Sequence, residues 1–454
     1  MSENSRKSRI LKKTAAVFCC LLLGLAVFSC GASSDKTSTG GQGSVQSSTV
    51  QENILPDQTA DRETGADEKS SEKEPASSEE ADPSGDVTAE APETTEETTG
   101  TDEGSSESQE QESSEGPDAS ENDETAEDEG NNGELSFGGP AYMCMRYIND
   151  HFPWRVTGNP EVTQEARDTC GAWIVKTMGN YGYTPMVQSW NHDNLTDTVN
   201  ITSYIFRKPG RSGKRIMIGA HYDSRESRGA EDNGSGIGMA LETAARFADK
   251  DLEYTLDFCF WDGEELRGCA GSYYYMLTCT DPENIALYIN LDCLGAGDTM
   301  FVYGGQYTEE GVLVQDWGYR LAMETAAELG IDLHTIPPLA EPEFRAPTRT
   351  TGSDQKHFAS YGIPYIYFEA NAWVDANGVE QYPNGSKAYQ FNSADPAFAK
   401  TEGQINHTEF DDLDILESIH PGRIREHLKA FSHVLTEVLL KLDRNGLAFY
   451  ETDY

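Results

Sequence analysis

Between residues 31 and 134 the chain has no Phe, Trp or Tyr and only 4 Lys+Arg, against 31 Asp+Glu. A segment so poor in aromatics, with a net charge of −27, cannot bury enough apolar surface to offset the entropy of ordering it. It is expected to be a disordered, acidic Ser/Thr/Glu-rich linker. Positive charge is scarce throughout: the 454 residues hold 34 Lys+Arg against 78 Asp+Glu, a formal net charge of −44. The part outside this segment stays acidic, which argues against a nucleic-acid partner. The 9 Cys contain no Cys-x-x-Cys pair, so the usual thiolate metal knuckle is missing. No internal repeat is found. The apolar run from Thr14 to Phe28 is short for a membrane span.

That run has another reading. Arg6, Lys7, Arg9, Lys12 and Lys13 precede it as a basic n-region, and Val27-Phe28-Ser29-Cys30 closes it. This is the layout of an export signal, and its end resembles a bacterial lipobox, in which the Cys becomes the lipidated first residue. The expected organisation is a lipoprotein signal at 1–29, the acidic linker at 30–134 and one folded domain at 135–454. The domain would be held on the extracellular face of a bacterial membrane by lipid on Cys30, with the self-repelling linker as spacer. Of the six remaining thiols, Cys259 and Cys293 read as buried. Cys269 and Cys279 could pair across one short helical segment, as an oxidising compartment permits.

From Gly139 onward, helix-like and strand-like patterns alternate. The spacing predicts helices over Pro140–Phe152, Thr163–Gly182, Ser235–Ala248, Gly311–Leu329 and Ile424–Leu440. It predicts strands over Met186–Trp190, Val199–Phe206, Lys214–Ala220, Tyr254–Trp261, Ile285–Leu291 and Pro364–Glu369. Such alternation implies an α/β fold, three layers in α/β/α order around a mostly parallel central sheet.

Several polar motifs fall at the ends of these strands. His221 and Asp223 follow the third predicted strand, and Glu264-Glu265 follow the fourth. Asp292 ends the fifth. Asp232 lies in a Gly/Ser-rich turn that opens a helix, and His407 comes far downstream. In open α/β sheets, ligands bind beyond the carboxyl ends of strands. Taken singly, each motif has a plain alternative. His221 would also serve as a core histidine, Asp232 as a helix N-cap, and Glu264-Glu265 as a solvated loop pair. Adjacent carboxylates repel unless a cation lies between them or one is protonated. Mixed nitrogen and oxygen donors with one spare carboxylate are what hydrolysis at paired zinc ions requires.

Quoted together, the motifs are Gly219-Ala220-His221-Tyr222-Asp223-Ser224, Asp232-Asn233-Gly234-Ser235-Gly236, Gly263-Glu264-Glu265, Asn290-Leu291-Asp292, Ser353-Asp354 and His407-Thr408. The set resembles the co-catalytic zinc aminopeptidases, of the clan that also holds glutaminyl cyclases and the protease-like domain of transferrin receptor. The likeness runs from about Arg155-Val156-Thr157-Gly158 to the C-terminus. It implies a zinc-exopeptidase (phosphorylase/hydrolase-like) architecture and two Zn2+ per chain. His221 and Asp292 would hold one ion, Glu265 and His407 the other, and Asp232 both. Glu264 would be the general base, and Asp223 would orient His221. A Tyr near the distal His is expected to steady the oxyanion, with Tyr382 and Tyr389 as candidates. Residues 341–350 and 371–399 are expected to form a rim that sets specificity. The substrate would be a peptide with a free N-terminus. Alternatives on the same fold are a glutaminyl-cyclase-type acyltransferase, a carboxypeptidase or dipeptidase, and a non-catalytic surface receptor.

Overall fold

The computed structural model describes residues 135–158, 164–193, 198–225, 227–266, 268–336, 346–373 and 390–453. Residues 1–134, where the signal and the acidic linker are expected, and the two tyrosines Tyr382 and Tyr389 lie outside them. The elements, in chain order, are α1 (Gly139–His151), α2 (Glu165–Asn180), β1 (Pro185–Asp193), β2 (Thr198–Lys208), β3 (Arg215–His221), α3 (Gly236–Phe247), β4 (Thr255–Trp261), α4 (Ala270–Thr278) and β5 (Ile285–Leu291). There follow β6 (Thr299–Tyr303), β7 (Gln306–Tyr307), β8 (Leu313–Val314), α5 (Trp317–Leu329), α6 (Gln355–Ser360), β9 (Tyr365–Trp373), β10 (Gln390–Phe391), α7 (Leu413–Ile419), α8 (Arg423–Asn445) and α9 (Leu447–Asp453).

The main sheet has the order β1-β2-β4-β3-β5-β9-β10, with β6 also paired to β9. Its four central strands, β4, β3, β5 and β9, are parallel. The flanking pairings are antiparallel. The expected parallel character therefore holds for the centre of a mixed sheet. Every residue of β3, β4 and β5 is buried, as parallel strands covered on both faces require.

The period-two alternation of strand side chains sorts most of the core into two clusters, one on each face of the sheet. Ile216, Ile218, Leu256, Phe258, Phe260, Leu287, Ile289 and Leu291 join one cluster with residues of α1, α2, α3, α5 and α8. Met217, Cys259, Trp261, Tyr288, Tyr365 and Tyr367 join the other, with residues of α4 and α6. The described residues thus form a three-layer α/β/α fold, with a thick helical layer on one face and a thin one on the other. Among the described residues no helix is long and apolar enough to cross a membrane.

Two expectations need correction. The helix predicted from Gly311 begins at Trp317; before it, Gly311 takes a left-handed φ of 79° in the turn that joins β7 to β8. The Cys269–Cys279 pairing does not form. These residues flank the nine-residue α4, whose rise separates its ends by roughly 15 Å, too far for a disulfide. All six described cysteines are free.

Candidate metal centre

The carboxyl ends of the parallel strands bring the predicted residues together. His221 is the last residue of β3 and pairs with Trp261, the last of β4. Glu264 and Glu265 follow β4 in a short turn, and Asp292 follows β5 directly. His221, Asp232 and Asp292 form one group of donor atoms lying within 4.8 Å of one another. Asp232, Glu265 and His407 form a second. His221 Nε2 stands 3.1 Å from Asp232 Oδ1 and 3.3 Å from Asp292 Oδ1. His407 Nε2 stands 3.0 Å from Asp232 Oδ2 and 2.9 Å from Glu265 Oε1. Asp232 therefore turns one carboxylate oxygen toward each histidine.

The donor set fits zinc. Ligand atoms about 2.0–2.2 Å from a tetrahedral ion sit roughly 3.3–3.6 Å apart, close to the spacings found. The charge balance agrees. Burial disfavours the charged form of His221, yet Asp292, Asp223 and Asp232 outweigh it and push the imidazole well above its ordinary range. His407 is likewise raised to about 10 against its own burial, by Asp232 and Glu265. Asp232 is held low although burial would raise it, because both histidines hydrogen-bond to it. The cluster is short of positive charge, and the imidazoles are driven to supply it. Glu264 is pushed the other way, raised first by burial and then by Glu265 and Asp292.

Supporting groups set this geometry. His221 Nδ1 lies 3.2 Å from the Asp223 carbonyl oxygen and 3.5 Å from Asp223 Oδ1. The Asp223 carboxylate also accepts the backbone N–H of Glu264 at 3.1 Å and of Glu265 at 3.3 Å. One side chain thus positions donors from two strand ends. The N-cap alternative for Asp232 fails: the Gly236 N–H donates to Asn233 Oδ1 at 2.9 Å, and Asp232 faces the histidines. Asn233 Nδ2 also donates to Leu291 O, which joins the Asp232 turn to the end of β5.

Asn290, which the sequence places beside Asp292 as a supporting residue, belongs to a chain of hydrogen bonds behind Asp292 whose other members sequence reasoning missed. Trp261 Nε1 donates to Tyr288 OH, Tyr288 to Asn290 Oδ1, and Asn290 Nδ2 to Ser353 Oγ. Ser353 in turn donates to Asp292 Oδ2 at 2.7 Å. Gly219 makes room for it. A Cβ there would lie 2.2 Å from Tyr288 OH and 2.6 Å from Trp261 Nε1. A glycine inside an otherwise buried apolar strand was the available signal. Arg155 was also read only as part of a motif. Fully buried, it donates to the carbonyls of Phe152, Tyr222, Arg228 and Gly229. It clamps the segments that carry His221 and Asp232. Cys269 Sγ donates to Glu264 Oε1 at 3.2 Å.

A cavity of about 200 Å³ opens over the centre and is lined by Asp232, Glu264, Glu265, Asp292 and His407 among others. Residues 203–434, just over half of the chain, match the profile of Peptidase family M28. The chain belongs to peptidase family M28. As a member of M28 it is a zinc-dependent metallopeptidase. Over 327 residues it is 26% identical to the alkaline phosphatase isozyme conversion protein of Escherichia coli, covering 65% of this chain and 88% of that protein. A 103-residue stretch is 39% identical to a probable lipoprotein aminopeptidase of Mycobacterium tuberculosis, 22% of this chain and 20% of that one. In fold, this M28 chain is similar to glutaminyl cyclase from Porphyromonas gingivalis. The TM-score is 0.50 at 21% identity, over 67% of this chain and 98% of the other.

Proposed function

We propose that this protein is an aminopeptidase that removes N-terminal residues from peptides with two zinc ions and a glutamate base. The observation that carries the reading is the sharing of Asp232 between two three-residue donor groups. His221, Asp232 and Asp292 would hold one ion, and Asp232, Glu265 and His407 the other. Three protein donors per ion leave a position open, as catalytic sites require. When bound, the ions would supply Lewis acidity toward a carbonyl oxygen and ease deprotonation of water.

The chain's own residues would do the rest. Glu264 borders the cavity without belonging to either donor group. It would take a proton from the attacking water and return it to the leaving amine nitrogen as the C–N bond breaks. Asp223 would fix both the ring of His221 and the backbone that presents Glu264. The carboxylates around the cavity would favour a substrate with a free N-terminal ammonium. The membrane-anchored, extracellular placement is part of the same proposal. It rests on the signal-like N-terminus ending at Cys30 and on the likeness to a probable lipoprotein aminopeptidase.

The test is a panel of aminoacyl-arylamides with and without chelator, combined with a zinc titration. Turnover that is lost to chelator and restored in full only by the second equivalent supports the reading. Full activity with one equivalent, together with cyclisation of N-terminal glutamine, would replace it with a cyclase. Tight zinc binding without any turnover would replace it with a receptor.

A further inference from the structure

The Glu264 carboxylate is steadied by a sulfur. The backbone N–H of Glu264 is fixed on Asp223, but its side chain reaches the cavity wall through rotatable bonds that this anchor does not control. Among the described residues, the Cys269 thiol is the one hydrogen-bond donor to the carboxylate, from Sγ to Oε1 at 3.2 Å. Oε2 has no such partner among them. With Oε1 held, the plane of the carboxylate is set and Oε2 remains for the attacking water. Orientation of this kind matters because a base must stand within hydrogen-bond reach of the proton it takes, and small misplacements are costly in rate.

Cys269 is itself held in place. It is 5% exposed and immediately precedes α4. Its N–H donates to Leu266 O at 3.2 Å, and its carbonyl accepts the Tyr273 N–H at 3.1 Å. The Ala270 N–H donates to Gly263 O at 2.8 Å, which joins the residue after Cys269 to the residue before Glu264. Cys269 also takes a left-handed φ of 51°, uncommon outside glycine. Glycine would adopt it at no steric cost but would offer Glu264 no donor. Cys269 is not among the residues that line the cavity, so its effect on a substrate passes through Glu264.

We propose that Cys269 is a positioning residue for Glu264, its thiol setting the orientation of the base. The proposal rests on the reading of Glu264 as that base. It is tested with the zinc-loaded protein on the arylamide that the wild type cleaves best. Cys269→Ala should lower kcat roughly three- to tenfold, the scale of one hydrogen bond, with KM and zinc content unchanged. Cys269→Ser keeps a donor and should stay within about twofold of the wild type. In a Glu264→Gln background, Cys269→Ala should cost nothing further, since no base is left to orient. A normal kcat in Cys269→Ala, an equal loss in Cys269→Ser, or a loss that persists beside Glu264→Gln overturns the proposal. Full activity of Glu264→Gln would instead sink the base reading, and turnover of no arylamide would sink the aminopeptidase reading. The infrared S–H stretch of Cys269, identified by its loss in Cys269→Ser, then decides whether the thiol holds Glu264. A band that moves to higher wavenumber in Glu264→Ala upholds that hold, and an unmoved band overturns it.

Discussion

The Asp411 carboxylate accepts the backbone N–H of Glu231 at 2.6 Å, binding the loop that carries His407 to the turn that carries Asp232. Its other oxygen accepts from Ser227 Oγ at 3.1 Å. Burial, followed by the nearby Asp232, pushes this carboxyl up to about 7. Truncation to alanine would leave a buried N–H without its acceptor, at a cost of about 1–3 kcal/mol. Denaturant unfolding of Asp411→Ala should show a loss of this size. An unchanged midpoint would mean that the two loops are held elsewhere.

Glu264→Gln should keep the zinc content and lose turnover by roughly 10²–10⁴-fold, the usual contribution of a general base. The change is nearly isosteric, and Glu264 lies outside both donor groups. Metal analysis beside steady-state kinetics separates the two effects. Near-normal turnover would take Glu264 out of the mechanism.

The shared position of Asp232 sets an ordering for ligand variants. Asp232→Ala should lose both equivalents of zinc, whereas His221→Ala and His407→Ala should each lose one. Atomic absorption on dialysed protein reads this directly. Loss of a single equivalent in Asp232→Ala would contradict a bridging carboxylate.

Two histidines away from the centre predict an acid-side dependence of stability. His427 Nδ1 donates to Gly295 O at 2.9 Å, and His357 Nε2 to Gly268 O at 2.6 Å. Burial lowers each from 6.5 to about 4. Between these values the unfolded chain binds more protons, so each histidine's contribution is present above pH 6.5 and is lost as pH falls toward 4. Buried carboxyls titrate in the same range with opposite sign, so wild type must be compared with His427→Gln and His357→Gln. Melting-temperature differences that shrink from pH 6.5 to pH 4 are expected, and parallel curves would reject the assignment.

Much of the fold was legible because buried parallel strands are continuous apolar runs, and β3, β4 and β5 stand out in the chain. The site residues were legible because each falls where such a run stops. Short elements gave no such signal. β6 is a five-residue strand, and α6 has six residues, below the length at which periodicity can speak. Contacts across long separations were also hidden. Nothing local marks Asp411 as the acceptor of an N–H 180 residues earlier. Glu369 sits inside β9, where its neighbours read only as an apolar strand, and its partner Arg349 comes from another segment. Ser353 was part of a quoted motif, but its hydroxyl contact with Asp292 depends on how β5 and the segment before α6 meet.

The two imidazoles differ in their access to solvent: the His221 side chain is 1% exposed, and that of His407 is 42% exposed. His407 also holds a left-handed backbone, with φ of 60°, on a loop rather than at the end of a buried strand. One half of the centre is thus part of the sheet's frame, and the other is carried by a surface loop and open to solvent. Metal exchange should be sequential, with the ion beside His407 leaving first and returning last. Chelation should then yield a half-loaded protein of measurable lifetime, and the zinc supply would set activity through the more exposed half.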